Sequence, residues 1–443
     1  MRQHHLHAAL VALATGSVCA GTAHAAGFQI TEASVAGLGR AFAGAGLVGD
    51  DLSAVAYNPA GMTLLSGTAV QGGLTFIDAD AYFSGSSTRH VGPLARSESG
   101  RDNAGAGAVV PNGYFVTEIN ERMRFGLGVN APFGLRTEYG RDWVGRYHAV
   151  ESDLTTVDIN PSLAFRINEQ FSIGIGVSYQ YVDATLTQRI PGLRPTGTVP
   201  PLVPAADGFG KVEGDDWSWG WNLGAMWEID PDTRLGISFR SKIKQELEGD
   251  LETTRKAGTL VNNRPLPADV TVRSDASAEV DLPETVGLMF YKRLDPKWGV
   301  AAAARWTNWS RFQELRIEST GFAGGASVTE ENWEDTWALS VGVDHYYNEQ
   351  WTLRAGMAWD QSPVPNSGDR TARIPDSDRF WLSVGASYRP SKNVTVDMGL
   401  AHLFFRDADT SDAISSGPTF GDQLNGSYNS SANLVGVAVQ YRF

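Results

Sequence analysis

Beyond its first 25 residues the chain contains no cysteine, because Cys19 is the only one it has. Disulfides and thiol chemistry are therefore closed to the rest of the molecule. No uncharged apolar stretch of about 18 residues occurs after residue 25, which excludes a membrane-spanning helix. Positive charge is also short, with 36 Lys and Arg against 50 Asp and Glu and a formal net charge of −14. That balance argues against nucleic acid and against a polybasic membrane-surface patch. No G-x-S-x-G nucleophile motif is present. Of the four histidines beyond residue 25, His90, His148, His345 and His402, none stands at ligand-like spacing from another, so no metal is expected. GAGLVG (44–49) matches G-x-G-x-x-G, but no strand pattern precedes it. It reads as close packing of small residues, and no cofactor and no enzyme activity are expected.

What is present begins with a leader. Arg2, the short apolar core AALVALA (8–14) and Ala23-His24-Ala25 form a signal peptide over 1–25, with Ala26 as the mature N-terminus. A long series of alternating segments follows residue 66. In VGVAVQYRF (435–443), Val435, Val437, Val439, Tyr441 and Phe443 share one face of an extended strand. FSIGIGVSYQY (171–181) and WGVAAAARW (298–306) behave alike, with apolar residues on one face and small or polar residues on the other. Fourteen such segments can be placed, at about 68–83, 105–119, 122–131, 152–167, 170–188, 213–229, 233–251, 272–293, 297–318, 330–346, 350–361, 378–389, 393–406 and 428–443.

The connections sort into two kinds that alternate. INE (119–121), INEQ (167–170), IDPDT (229–233), LDPK (294–297), YNEQ (347–350) and RPSK (389–392) are tight polar turns. Between them lie long connections at roughly 84–104, 132–151, 189–212, 252–271, 319–329, 362–377 and 407–427. Short turns at one end and long loops at the other are the signature of an outer-membrane barrel. Trp219 and Trp227, Trp298 and Trp306, and Trp351 and Trp359 are each eight residues apart. An even spacing keeps both rings on one face, roughly 20 Å apart in height, as two aromatic girdles require. The expected fold is thus a 14-stranded antiparallel transmembrane β-barrel over 67–443, lipid outside and small residues inside. The expected location is the outer membrane of a Gram-negative bacterium. Phe443 supplies a terminal aromatic of the kind that barrel-assembly machinery recognises.

Residues 26–66 do not alternate; they are rich in Gly and Ala and end in Asn58-Pro59-Ala60-Gly61. About 40 compact residues ahead of the first strand are expected inside the lumen as an N-terminal hatch, or plug. Arg240, Arg305 and Arg354 fall on the inward register, where each could pair the carboxylate of a ligand or an inward acid such as Asp397.

AGFQI (26–30), GLGRAFAG (37–44), NPAG (58–61), APFG (131–134) with WVGRYHA (143–149), and IPDSDRFWLSVGASY (374–388) stand in one order along the chain. In this the sequence resembles the FadL/TodX-type outer-membrane transporters of long-chain fatty acids and other hydrophobic compounds. The resemblance runs from Ala26 to Phe443. It implies that Asn58, Pro59 and Ala60 form the hatch motif and that Ala26, Gly27, Phe28 and Gln29 form a mobile gating terminus. It also implies release through the wall near the third strand, where Asn130, Pro132 and Gly134 lie. The apolar, proline-rich stretch 190–209, which departs from the family in not being helical, then reads as an outer capture groove. Leu193, Val199, Leu202, Val203 and Phe209 would meet an acyl chain there. Burial of an alkyl chain is worth about 0.8 kcal/mol per CH₂, so uptake needs no covalent step. With no nucleotide motif or energy-coupling box, passive, hatch-gated uptake by a monomer is expected. The alternatives are an aromatic-hydrocarbon channel of the same fold and a general diffusion porin.

Overall fold

The computed structural model describes residues 27–91, 94–195, 202–261, 264–322, 324–416 and 420–443. The signal peptide and Ala26 lie outside the described residues. Fourteen antiparallel strands close on themselves: β1 (Thr68–Val91), β2 (Gly107–Asn120), β3 (Met123–Asn130), β4 (Glu151–Arg166), β5 (Phe171–Pro195), β6 (Leu202–Asp230), β7 (Thr233–Arg240), β8 (Thr285–Arg293), β9 (Trp298–Thr307), β10 (Thr336–Tyr346), β11 (Trp351–Asp360), β12 (Arg379–Tyr388), β13 (Val394–Phe405) and β14 (Phe420–Arg442). Each pairs with its neighbour in sequence, and β1 pairs with β14 from Ala69↔Arg442 to Val91↔Phe420, which seals the cylinder.

The alternation predicted from sequence is the alternation of the wall. Val435, Val437, Val439, Tyr441 and Phe443 are exposed on the outside of β14, while Leu434, Ala438 and Gln440 are buried inside. Ile173, Ile175 and Val177 of β5, Trp219 and Trp227 of β6, Trp298 of β9 and Trp359 of β11 are likewise exposed outward. In water this surface would be an aggregation hazard; against acyl chains it is the expected solvent contact.

Above the girdle the structure departs from the expected boundaries. Three segments read as continuous are divided: 233–251 at Ser241–Lys242, 272–293 at Pro283–Glu284, and 297–318 at residues 308–313. Pro283 has no N–H for the ladder. Trp309 and Phe312 turn into the lumen instead of continuing the alternation, and both are buried. Much of the length read as loop is strand. Residues 94–103 pair back on β1, and β5 and β6 continue upward as one hairpin to Pro195↔Leu202. Ile243–Arg255 pairs with Val270–Leu282 beyond the barrel rim.

Residues 27–66 pack against the inward side of the wall. Short helices α1 (Val35–Leu38) and α2 (Ala54–Tyr57) and a 3-10 turn (Pro59–Leu64) are joined by irregular chain. Ser34 caps α1 by accepting from the Gly37 N–H at 2.8 Å. Inward glycines make the seat. A Cβ on Gly356 of β11 would stand 2.2 Å from the Arg40 carbonyl carbon, and one on Gly224 of β6 would stand 2.1 Å from Asn58 Oδ1.

The outward register can be tested on one strand. Val439→Lys, near the middle of the apolar band of β14, should destabilise the barrel by about 2–4 kcal/mol, whereas Asn433→Lys near its upper edge should cost about 0–1 kcal/mol. Denaturant unfolding in lipid bilayers measures both; equal effects would contradict the assigned lipid face.

Candidate ligand-binding site

The N-terminal residues are held at the inner face of β3 and its continuation. Beyond Asn130 the chain leaves the ladder: Ala131, Pro132 and Phe133 turn inward, and pairing to β4 resumes at Gly134↔Thr155. On the opposite side the β2–β3 ladder stops at Gly113↔Val129, so among the described residues 107–112 of β2 have no strand partner on that edge. The inward segment pairs instead with the terminus. Ile30 N–H donates to the Pro132 carbonyl at 2.8 Å, and Gly134 N–H donates to the Phe28 carbonyl at 2.9 Å. Asn130, Pro132 and Gly134 are thereby brought against Phe28, Gln29 and Ile30.

Phe28 is 2 % exposed. Its ring lies edge-on to Trp309 at 4.8 Å and to Phe312 at 5.5 Å, with Trp333 at 5.6 Å and Phe133 at 6.0 Å. Trp309 and Trp333 come from the inward excursions beside β9 and β10, which alternation alone could not have placed. Gly27 has φ +63° and sits so close to Trp333 that a Cβ would stand 2.5 Å from its ring, a position suited to glycine alone. Its N–H donates to Asp376 Oδ2 at 3.0 Å. Burial lifts the Asp376 carboxyl to about 6, against the opposing pull of Arg379. Gln29 accepts from the Thr307 hydroxyl of β9 at 3.2 Å.

The terminus separates two cavities. The upper one is lined by Phe28, Leu135, Leu154, Val182, Leu247, Val280, Leu282, Phe312, Leu315, Ile317 and Ile374, with the charged residues Asp153, Glu213, Glu331 and Arg373 among them. The lower one lies between residues 29–57 and the wall, and is lined by Gln29, Ile30, Phe42, Tyr57, Asn130, Pro132, Phe133, Arg240, Ala303, Arg305, Asp360 and Trp381.

Arg373 is the cation of the upper cavity. It donates to Gln188 Oε1 at 2.7 Å and Ser152 Oγ at 3.2 Å. Among the described residues no carboxylate lies within ion-pair distance of it. Burial lowers its guanidinium to about 10, so it keeps its charge at neutral pH. Glu331 is 1 % exposed and neither carboxylate oxygen has a partner among the described residues. Burial, and next the field of Asp412, push its carboxyl well above the ordinary carboxylate range; Glu331 and Asp412 both act on Arg373 through space without forming an ion pair with it. Arg373 sits in the connection 361–378, and Glu331 in 331–335, which the sequence placed in the segment 330–346 but which leaves the ladder until Thr336.

The three arginines expected in the lumen have different surroundings. Arg240 pairs Asp158 at 2.9 Å and donates to Ser178 at 2.9 Å. Arg354 belongs to a buried network that ties residues 40–50 to the wall. Arg40 bonds Asp50 at 2.7 Å and Asp344 at 2.9 Å, Arg354 bonds Asp50 at 2.9 Å, and Asp397 stands 3.7 Å from Arg354. Both arginines therefore have their acids, and for them the inward-acid reading holds. Arg305 makes no hydrogen bond or ion pair among the described residues, and its Nε is buried without a partner.

Asn58 bonds the wall directly, its Nδ2 donating to the carbonyls of Ala225 at 3.1 Å and Ile237 at 3.3 Å. Its Oδ1 accepts from the Ala60 N–H at 3.1 Å, the Asx-type turn that Pro59 favours. Of the outer-loop residues, Val199 lies outside the described residues. Leu193, Leu202 and Val203 are described in backbone only, on the extended hairpin of β5 and β6. Phe209 lies beside the Arg141 guanidinium, 5.8 Å from its ring centre. The described part of the stretch read as a loop is thus a β-ribbon.

Residues 16–443 match the family described as outer membrane protein transport protein (OMPP1/FadL/TodX). The chain belongs to this family. It is a family of transport proteins, and this member is an outer-membrane barrel. Relatives include the long-chain fatty acid transport protein of Escherichia coli strain K12, 33 % identical over 405 residues, covering 86 % of this chain and 88 % of that protein. Outer membrane protein P1 of Haemophilus influenzae is 30 % identical over 467 residues, covering 96 % and 97 %. Among solved structures, a Pseudomonas aeruginosa FadL homologue superposes with a TM-score of 0.83 at 28 % identity, over 94 % of this chain and 100 % of that one. The toluene transporter TodX of Pseudomonas putida shares the fold at a TM-score of 0.66 and 18 % identity, over 89 % and 94 %.

The charge network carries its own test. Asp50→Ala removes the carboxylate that Arg40 and Arg354 share, and loss of one partner from a buried ionic cluster should cost about 3–5 kcal/mol. Residues 27–66 should then become sensitive to added protease while the wall stays resistant. Unchanged protection would show that the network does not hold this segment.

Proposed function

We propose that the protein is a passive outer-membrane channel for long-chain fatty acids, in which residues 26–66 act as a plug and residues 26–29 as its gate. The observation that carries this reading is the upper cavity: a largely apolar enclosure, with Asp153, Glu213 and Glu331 at its margins, in which the Arg373 guanidinium forms no ion pair among the described residues. An alkyl chain would lie along Leu135, Leu154, Val182, Leu247, Val280 and Ile317, and its carboxylate would be taken by Arg373. Charge-assisted pairing of that kind is strong in a site closed to water. An aromatic hydrocarbon could fill the same walls but would leave the Arg373 charge unanswered, a costly arrangement. The names of the relatives that are about a third identical agree with the fatty-acid reading.

Binding energy alone would trap the guest, so release needs the terminus to move. Phe28 forms part of the upper cavity and Gln29 and Ile30 part of the lower one, so a shift of these three residues would join them. Their anchors are few: two main-chain hydrogen bonds to residues 132–134 and one side-chain bond to Thr307, with the neighbouring Gly27 N–H bonded to Asp376. The lower cavity reaches Asn130, Pro132 and Phe133, beside the unpaired edge of β2, and that ladder gap is the exit we assign. The seam between β1 and β14 is closed, and the gap beside β2 is short, which suits a monomer. Phe443 offers the terminal aromatic for insertion by assembly machinery.

Two measurements check this reading. Arg373→Ala should weaken binding of a long-chain fatty acid by at least about tenfold while leaving a fatty alcohol of equal length nearly unaffected. Equal affinity of variant and parent for the acid would refute the pocket. Deletion of Gly27–Gln29 should change uptake of hydrophobic solutes without unfolding the barrel, and the intact protein should pass little steady ion current in planar bilayers. Porin-like conductance, or uptake indifferent to the deletion, would count against gating by the terminus.

A further inference from the structure

Beneath the terminus, the lower cavity holds a cation of its own. Arg305 lies on β9, whose inward register runs Gly299, Ala301, Ala303, Arg305, Thr307, with Ala301 and Thr307 buried. Thr307 is the residue that bonds Gln29. Arg305 is the next inward position below it, one strand period or roughly 6–7 Å lower. Its surroundings differ from those of its neighbours in the lumen. Arg240 and Arg354 are neutralised by Asp158 and by Asp50 and Asp344. Asp360, which also lines the cavity, is claimed by Arg379 at 2.6 Å. The Glu32 carboxyl is within electrostatic range of Arg305 but accepts from the Thr31 N–H at 2.8 Å, and it forms no ion pair with Arg305 among the described residues. Ala303, Ala338 and Ala358 leave space beside the guanidinium, and Phe42 and Trp381 give apolar wall.

An unpaired guanidinium in a cavity is an arrangement a protein bears at a cost, since the charge is partly stripped of water and given no partner. Arg373 and Arg305 lie on opposite sides of residues 28–30, one in each cavity. We infer that Arg305 is a second carboxylate station, which accepts the head group of a fatty acid after it leaves Arg373 and before it reaches the ladder gap beside β2. The inference rests on the proposed function. It adds that the channel guides the charged end of its substrate through two successive ion pairs, so that the carboxylate is not left bare at membrane depth. The step is a transfer between hydrogen-bonding partners; no bond is made or broken and no proton has to move.

The two stations are separable by experiment. Arg305→Gln should leave equilibrium binding of a long-chain fatty acid to the purified protein within about twofold of the parent, because Arg373 remains. Uptake of the same acid into cells or proteoliposomes should fall at least about tenfold. Uptake of the fatty alcohol of equal length should be unchanged, and Arg305→Lys should restore most of the acid uptake. Unchanged acid uptake in Arg305→Gln, or equal loss for acid and alcohol, would overturn the second station. Loss of binding would also overturn it, by placing Arg305 in the first site. If the variant does not assemble, a photoreactive fatty acid with its diazirine near C1 can be used on the unaltered protein. Labelling at 303–307 of β9 in addition to the upper cavity is expected, and labelling confined to the upper cavity would refute the proposal. Failure of the Arg373→Ala test would instead remove the upper site and leave these outcomes readable on their own.

Discussion

In hydrocarbon a peptide group has no water to turn to, so a chain without a spanning helix can cross a membrane only as a sheet with no edge. Everything else in this molecule follows from the pairing of β1 with β14 that removes the last edge. Once the sheet is closed, one face of each strand must be greasy and the other is free to be something else. Here it is small and polar, and that choice creates the lumen in which residues 27–66 lie. The same rule makes the exception at β3 conspicuous. Its ladder with β2 ends at Gly113↔Val129, and the polar groups released there are partly taken up by the terminus through Ile30 and Gly134.

The segment inside the barrel is held in two unequal ways. Residues 34–64 are tied by a buried ionic network, by Asn58 on the carbonyls of β6 and β7, and by glycine seats that leave no slack. Residues 27–30 are tied by a few hydrogen bonds and by aromatic contacts around Phe28. Ionic clusters of this kind are costly to break one partner at a time, whereas ring contacts of the Phe28 type are each worth roughly 0.5–1.5 kcal/mol beyond area burial. The change from weak to strong anchoring falls near Thr31–Ala33, and it is this difference that the proposed gate would use.

Strand number, strand facing and end-to-end asymmetry were legible in the sequence because each is a repeated local signal. VGVAVQYRF and FSIGIGVSYQY carry the period of two, and tight polar turns mark every second connection. What was not legible depends on chain segments leaving that period. Trp309, Phe312 and Trp333 sit in inward excursions, so nothing in their spacing joins them to Phe28. Arg373 lies in a connection, where a charged residue is unremarked in sequence, and Glu331 lies in 331–335, which was read as part of the segment 330–346 but is not strand; both acquire meaning only from the enclosure around them. The inward register did select Arg240, Arg305 and Arg354, but register cannot say which of them already has an acid. The upper stretch 190–209 was read as loop because prolines are frequent in it, yet a paired hairpin can keep its prolines at edge positions.

The closing seam joins the first strand made to the last, and the segment inside precedes both. Arg40 meets Asp344 across 304 positions of chain, so its partners are delivered only when nearly all of the polypeptide has been exported. A segment made first thus takes its final hold from strands made last, so its seat is completed only as the sheet around it is completed.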